Sequence, residues 1–137
     1  MNTFEDLLQY YVNLDFDQLV ARAKNAVEAV MPDCKRVDPE NNGYFMLCSI
    51  ILSAVGADGK LTPLEDEFLR EVMGIDRETT DKLIQLYTPE MVDTVNDFAD
   101  KLSRQNKINT ATLLLAFLSC DEKISPEETG LIKKIID

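Results

Sequence analysis

Apolar residues recur at intervals of three and four from one end of the chain to the other, and no stretch alternates apolar and polar residues as a half-buried strand does. A first helix is predicted after Thr3 and a second after Asp15, because either side chain can cap a helix. The second carries an apolar stripe from Phe16 to Val30, and Pro32 is predicted to end it. The pattern therefore predicts an all-α protein.

Two later segments, residues 44–57 and 108–120, are apolar on most sides. Such helices are typically surrounded by other helices, and both segments are too short to span a bilayer. The stretch before the first of them, residues 32–43, contains two Pro, two Asn and one Gly. It is predicted to be a loop, with one helical turn after Asp38.

Two short helices are predicted between these apolar segments. Asp76 can cap one that ends near Tyr87, and Thr88 with the Pro after it opens the next. The second of these helices has an apolar face and an acidic face, which are formed by Met91, Val95, Phe98 and Leu102 and by Glu90, Asp93, Asp97 and Asp100. Two of the carboxylates, Asp97 and Asp100, are spaced to pair with Lys101 and Arg104, four residues on in each case.

The chain also contains an internal repeat with an offset of 63 residues. Residues 50–73 and 113–136 align without a gap, and each copy consists of an apolar run, an Asp-containing turn and a second apolar run. The identical positions are Leu52/Leu115, Asp58/Asp121, Lys60/Lys123, Pro63/Pro126 and Glu65/Glu128. We therefore expect residues 1–137 to form a single domain, a compact bundle of about seven to eight helices with an internal duplication.

Each repeated turn ends on the signature of a helix start. Thr62 in the first copy and Ser125 in the second can accept hydrogen bonds from backbone amides, and the Pro that follows suits the first helical position. Glu65 and Glu128, three residues after the cap, can bond back to the cap amide and complete a capping box. Helix capping alone therefore accounts for these residues.

A cation site is the alternative interpretation of the same turns. If the two turns pack together, Asp58, Glu65, Asp121 and Glu128 converge, and four carboxylates with water can hold a hard divalent cation. A single turn cannot do so, because calcium takes about six to eight oxygen ligands and each copy offers two carboxylates. A weak divalent-cation sensor therefore stays open as an alternative.

Composition excludes several classes of function. The chain has no His, which removes classical catalytic triads and His-based zinc sites, and none of its five Gly lies in a phosphate-binding pattern. Its net charge is −11, and residues 58–100 hold twelve Asp or Glu against four Lys or Arg. This charge disfavours nucleic acid and favours cations or basic protein surfaces, with plain solubility as the alternative explanation. No pair of carboxylates is singled out for acid–base catalysis, so we expect a protein that is not an enzyme.

The three cysteines are odd in number and form no CxxC pair, and the N-terminus does not resemble a secretory signal. A reduced, cytoplasmic protein is the simplest interpretation. Cys48 and Cys120 lie in apolar segments and are expected in the core. Cys34 lies in the predicted loop beside Lys35 and Arg36 and is expected to be a free surface thiol, with a lowered pKa as the alternative.

Over residues 44–136 the chain resembles the tellurite-resistance TerB-like family. The resemblance rests on the runs ADGKLTPLE and CDEKISPEE, each of which follows an apolar helix; the second run has Glu122 where the first has Gly59. It implies a helical bundle built on a duplication, no catalytic role and a place in a stress-response or membrane-associated assembly. It also implies metal-binding candidates at the acidic residues of the two turns.

These observations together favour an acidic interaction module. We expect Glu90, Asp93, Asp97 and Asp100 to dock the basic surface of a protein partner. Neither a nucleic-acid partner nor a transmembrane segment is expected.

Overall fold

The computed structural model describes residues 4–54 and 61–120, and every regular element in these ranges is helical. The elements are α1 (Phe4–Val12), α2 (Phe16–Val37), a 3-10 turn (Pro39–Asn41), α3 (Tyr44–Ala54), α4 (Pro63–Met73), α5 (Arg77–Leu86), α6 (Met91–Asp100) and α7 (Arg104–Ser119). The all-α prediction is confirmed, and seven α-helices in the described ranges fit the predicted number. No helix in these ranges has both the length and the apolar character that crossing a bilayer requires.

Local capping chemistry places several helix starts. The Asp15 carboxylate accepts a hydrogen bond from the Gln18 amide at 2.8 Å, and the Gln18 side chain bonds back to the Asp15 amide. Asp76 caps α5 by accepting from the Thr79 amide at 2.9 Å. Both caps are confirmed as predicted. The predicted cap at Thr3 lies outside the described residues.

The core forms where α2 and α7 pack along each other and α3 and α4 close against them. The Phe68 ring of α4 meets Phe16 of α2 and Phe117 of α7, with ring centroids 5.8 Å apart in both pairs and edge-on geometry. In α3, residues 46–52 are all buried, which confirms the prediction of a helix surrounded by others. Buried apolar area of this extent is what holds the helices in place.

The second helix does not end at Pro32, so that prediction is wrong. α2 continues for another five residues, to Val37, with Pro32 inside it. Val30 and Cys34, four residues apart, are both fully buried, so the apolar stripe extends past the proline. Burial of Cys34 offsets the backbone hydrogen bond that proline cannot make. Pro32 itself lies on the exposed side of the helix.

Cys34 is also placed differently from the prediction. It is a fully buried residue of α2 and not a surface thiol of a loop. Burial raises the pKa of Cys34 to about 12, and the nearby charges of Asp33 and Asp38 add to the rise. The expectation of a lowered pKa is therefore wrong as well. Cys48 and Cys120 are buried in the core, as predicted.

A compact junction joins α2 to α3. The Asp38 carboxylate accepts hydrogen bonds from the amides of Phe45 and Met46, at 3.0 and 3.2 Å, and so caps α3 from outside the helix. Gly43 follows with a φ of 84°, and its amide donates to the Asp38 carbonyl at 2.8 Å. The 3-10 turn within this junction confirms the helical turn predicted after Asp38.

Only part of the internal repeat falls within the described residues. The offset of 63 places α3 on residues 107–117, which lie inside α7. Leu52 and Leu115, identical in the two copies, are both buried. The turn and second run of the later copy, residues 121–136, lie outside the described residues, so the duplication stays a prediction.

Candidate docking face on α6

The predicted two-sided character of α6 is present in the structure. Val95 and Phe98 are buried, and Leu102 just after the helix is buried with them, where α6 packs on α3. The four carboxylates of the predicted acidic face, Glu90, Asp93, Asp97 and Asp100, are all exposed. We refer to these four residues as the acidic face.

Three carboxylates of α4 and α5 are held by cations. Arg70 of α4 donates to Asp66 at 3.0 Å and to Asp81 of α5 at 2.5 Å, and these two hydrogen bonds raise the pKa of the guanidinium. Lys82 lies 3.5 Å from Glu78 within α5. Among the described residues, no ion pair includes a member of the acidic face. Exposed carboxylates without an ion pair among these residues also occur on α2 and α4, two on each helix, whereas the acidic face has four.

The predicted pairs of Asp97 with Lys101 and of Asp100 with Arg104 do not form. α6 ends at Asp100, Lys101 is its C-cap, and Ser103 caps α7 by accepting from the Asn106 amide at 3.2 Å. The four-residue spacing therefore crosses a helix boundary, and residues four apart are neighbours only within one continuous helix. The start of α7 at Arg104 also precedes the apolar run from which it was predicted.

Two members of the acidic face lie where a carboxylate is unfavourable for the helix itself. Asp97 and Asp100 belong to the last turn of α6, which contains no basic residue. The helix dipole places partial negative charge at this end, so each carboxylate there costs about 0.3–1 kcal/mol at low salt. Lys101 at the C-cap reduces this cost without pairing to either one. Helix stability therefore does not explain these two residues.

Glu90 differs from the other three. Hydrogen bonds from its own backbone amide and from the Thr88 side chain lower the pKa of its carboxyl group, so it stays ionised. It is the N-cap residue of α6, although its side chain makes no capping hydrogen bond to the helix. Glu90 therefore contributes charge to the face, and its carboxyl group also makes local hydrogen bonds.

An apolar pocket adjoins the acidic face. It has a volume of about 210 Å³ and lies between the end of α2, the start of α3 and the last two turns of α6. Its apolar lining consists of Val37, Met46, Phe98 and Leu102, and its polar rim of Arg36, Thr94, Asp97 and Lys101. Val37 is half exposed, unlike the other three apolar residues, which are buried. We refer to this feature as the α6 pocket.

The Arg36 charge on the pocket rim is already balanced. Its Nη2 lies 2.5 Å from the Asp33 carboxylate, which also accepts from the Asn106 side chain of α7 at 2.7 Å. This connection fixes the end of α2 relative to α7. Lys101 and Asp97 are then the two rim charges with no ion-pair partner among the described residues.

The predicted cation site cannot be assembled from the described residues. Asp58, Asp121 and Glu128 lie outside them, and Glu65 alone is placed. Glu65 is buried, its Oε1 accepts from the Thr62 amide at 2.9 Å, and its amide donates to the Thr62 hydroxyl at 3.1 Å. The capping box of the first copy is confirmed. Within the ranges that the structure covers, no cluster of three or more Cys, Asp or Glu could hold a metal ion.

Replacing Glu65 separates the two interpretations of the turn. Glu65→Gln is expected to change the free energy of unfolding by less than about 1 kcal/mol, because the Gln oxygen can accept the same hydrogen bond. Glu65→Ala is expected to cost more than Glu65→Gln, because it leaves the partly buried Thr62 amide without this acceptor. Urea unfolding with and without millimolar Ca²⁺, Mg²⁺, Mn²⁺ and Zn²⁺ measures both effects. A rise in stability with a cation that Glu65→Gln removes would favour the sensor over capping.

Comparison with protein-family models, curated proteins and solved structures finds no match for this chain. Functional assignment therefore depends on the residues of the site itself.

Sequence reasoning found the acidic face and missed the α6 pocket. The pocket brings residues 36–46 together with residues 94–102, and no local pattern connects two segments so far apart in the chain. Val37 was the one available signal, since an apolar residue between Arg36 and Asp38 in a predicted loop has no core position to fill. Because α2 is predicted to end at Pro32, Val37 is assigned to a loop and is not considered as part of a binding surface.

Proposed function

We propose that this protein is a non-catalytic interaction module whose acidic face binds the basic surface of a protein partner. On the sequence resemblance to the TerB-like family, its setting would be a cytoplasmic stress-response or membrane-associated assembly, with tellurite resistance as the family's known context. The proposal carries no role for nucleic acid, which the net charge of −11 would repel.

The proposal rests on one observation, the position of Asp97 and Asp100. Both are exposed, neither belongs to an ion pair of the described residues, and both lie at the helix end that disfavours negative charge. Residues that lower the stability of their own helix are typical of functional surfaces, where binding offsets the loss. Exposed charge of one sign also speeds the encounter with an oppositely charged partner.

The double variant Asp97→Asn/Asp100→Asn is expected to move stability and binding in opposite directions. Removing both charges should raise the free energy of unfolding by about 0.5–2 kcal/mol at low salt. The same change should release partner proteins that the wild-type chain retains from a lysate of its own organism at low salt. Urea unfolding and quantitative affinity capture measure the two effects.

The matched control is Glu28→Gln/Glu40→Gln, which removes the same charge from exposed positions on α2 and the 3-10 turn. We expect it to retain the captured partners. If capture depends only on the total charge of the chain, both double variants should lose the partners. If capture does not depend on salt, neither double variant should lose them. Either result contradicts docking at the acidic face.

A further inference from the structure

The α6 pocket and the acidic face lie side by side on one helix, and their relative positions indicate the shape of a partner that would contact both. Thr94 lies three and four residues before Asp97 and Phe98, and Lys101 lies four and three residues after them, so the pocket runs along a single stripe of α6 and its C-cap. Asp93 and Asp100 each precede a pocket residue by one position. They therefore lie about 100° further around the helix, on the outward side.

From this arrangement we infer that the α6 pocket receives one bulky apolar side chain of a basic amphipathic helix, whose Lys or Arg residues lie over Asp93, Asp97 and Asp100. The inference rests on the proposed function and adds the shape and chemistry of the partner. Recognition of a helix by a groove with apolar anchors is a common mode of peptide binding.

The volume of the pocket fits a single anchor. About 150 Å³ suffices to hold a benzene molecule in an apolar protein cavity, and the α6 pocket measures about 210 Å³. Val37 is half exposed, so an entering aromatic or branched side chain would remove its apolar surface from water. Buried Met46, Phe98 and Leu102 form the rest of the apolar lining and keep the pocket open.

Charge complementarity favours a basic occupant over an acidic one. Arg36 is paired with Asp33, so Lys101 is the rim cation that remains for an anion. Three carboxylates, Asp93, Asp97 and Asp100, surround the same stripe without forming an ion pair among the described residues. An acidic segment seated here would meet three like charges for each favourable contact with Lys101.

Three helical peptides test the inference by fluorescence anisotropy with the full chain. The first is lysine-rich with one Phe on its apolar face, the second has Ala in place of Phe, and the third keeps Phe but has Glu in place of each Lys. The Phe-bearing basic peptide is expected to bind about tenfold more tightly than its Ala counterpart. The acidic peptide is expected not to bind.

Variants of the protein locate the anchor. Val37→Ser should reduce the advantage of Phe over Ala to less than about threefold. Leu86→Ser is the matched control, because Leu86 is likewise an exposed apolar residue at the last position of a helix. It should leave the Phe advantage intact. Asp97→Asn/Asp100→Asn should weaken both basic peptides by the same factor.

The outcomes separate the inference from the proposed function. Equal binding of the two basic peptides, with loss in Asp97→Asn/Asp100→Asn, would contradict the anchor and leave acidic docking in place. Failure of both basic peptides to bind would contradict both. Tighter binding of the acidic peptide would show that Lys101 and Arg36 govern the pocket, and would overturn the inference.

Discussion

Replacing Gly43, which is buried, with Ala is expected to lower the free energy of unfolding by about 3–5 kcal/mol, the largest effect of any single substitution that we consider. A φ of 84° is unfavourable for any residue with a Cβ. The added carbon would also lie 2.8 Å from the Lys35 nitrogen and 2.9 Å from the Cys34 Cβ. These atoms belong to the backbone of α2 and to buried Cys34, and they cannot move without disturbing the core.

Gly74→Ala is the control for this substitution. Gly74 caps the end of α4 with a φ of 64°, but a Cβ built there meets no atom within 4 Å. Its replacement should therefore cost only the conformational penalty, about 1–2 kcal/mol. Urea unfolding of both variants measures the difference. Equal losses would show that the close approach of Gly43 to α2 contributes nothing to stability.

Alkaline solution is expected to destabilise the protein through its buried thiols. Burial raises the pKa of both Cys34 and Cys48 to about 12, whereas an unfolded thiol has a value of 9.0. Above pH 9 the unfolded chain releases these protons and the folded chain keeps them, so stability is complete below pH 9 and falls as the pH rises toward 12. At pH 10.5 the two thiols together should cost about 4 kcal/mol, on an order-of-magnitude basis.

The double variant Cys34→Ala/Cys48→Ala identifies the source of this loss. It removes both thiol titrations and changes no other residue. The free energy of unfolding, measured at several values between pH 8 and pH 10.5, should fall less steeply in the variant than in the wild-type chain. Parallel curves would mean that the two thiols do not govern alkaline stability.

Features set by neighbouring residues could be predicted from the sequence. The caps at Asp15, Thr62 and Asp76 depend on side chains that reach a backbone amide three residues away, so spacing alone identified them. The two faces of α6 likewise follow from its own periodicity. Its outward charge was therefore correctly placed before any contact between helices was known.

Features that depend on contacts between distant segments could not be predicted from the sequence. Pro32 remains inside α2 because Val30 and Cys34 are buried by other helices, which tertiary packing alone decides. Asp38 caps α3 from seven and eight residues away, beyond the spacing of a local capping motif. The α6 pocket has the same origin, since the junction that Asp38 and Gly43 stabilise brings Val37 and Met46 beside α6.

This dependence connects stability to the proposed function. The Asp38 carboxylate accepts hydrogen bonds from the amides of Phe45 and Met46. Met46 and Val37 both line the α6 pocket. A change that loosens the junction should therefore weaken anchoring of an apolar side chain before it affects the acidic face on α6. On the proposed function, docking by charge and anchoring by an apolar side chain should therefore be separable by mutation.

Chemical-shift mapping of the backbone amides, during titration of the full chain with the Phe-bearing lysine-rich peptide, tests docking on α6 most directly. We expect the largest shifts at residues 90–102, with a second group at residues 36–46 across the pocket. Shifts centred instead on α4 and α5, where Arg70 and Lys82 pair with three carboxylates, would contradict an acidic docking face on α6.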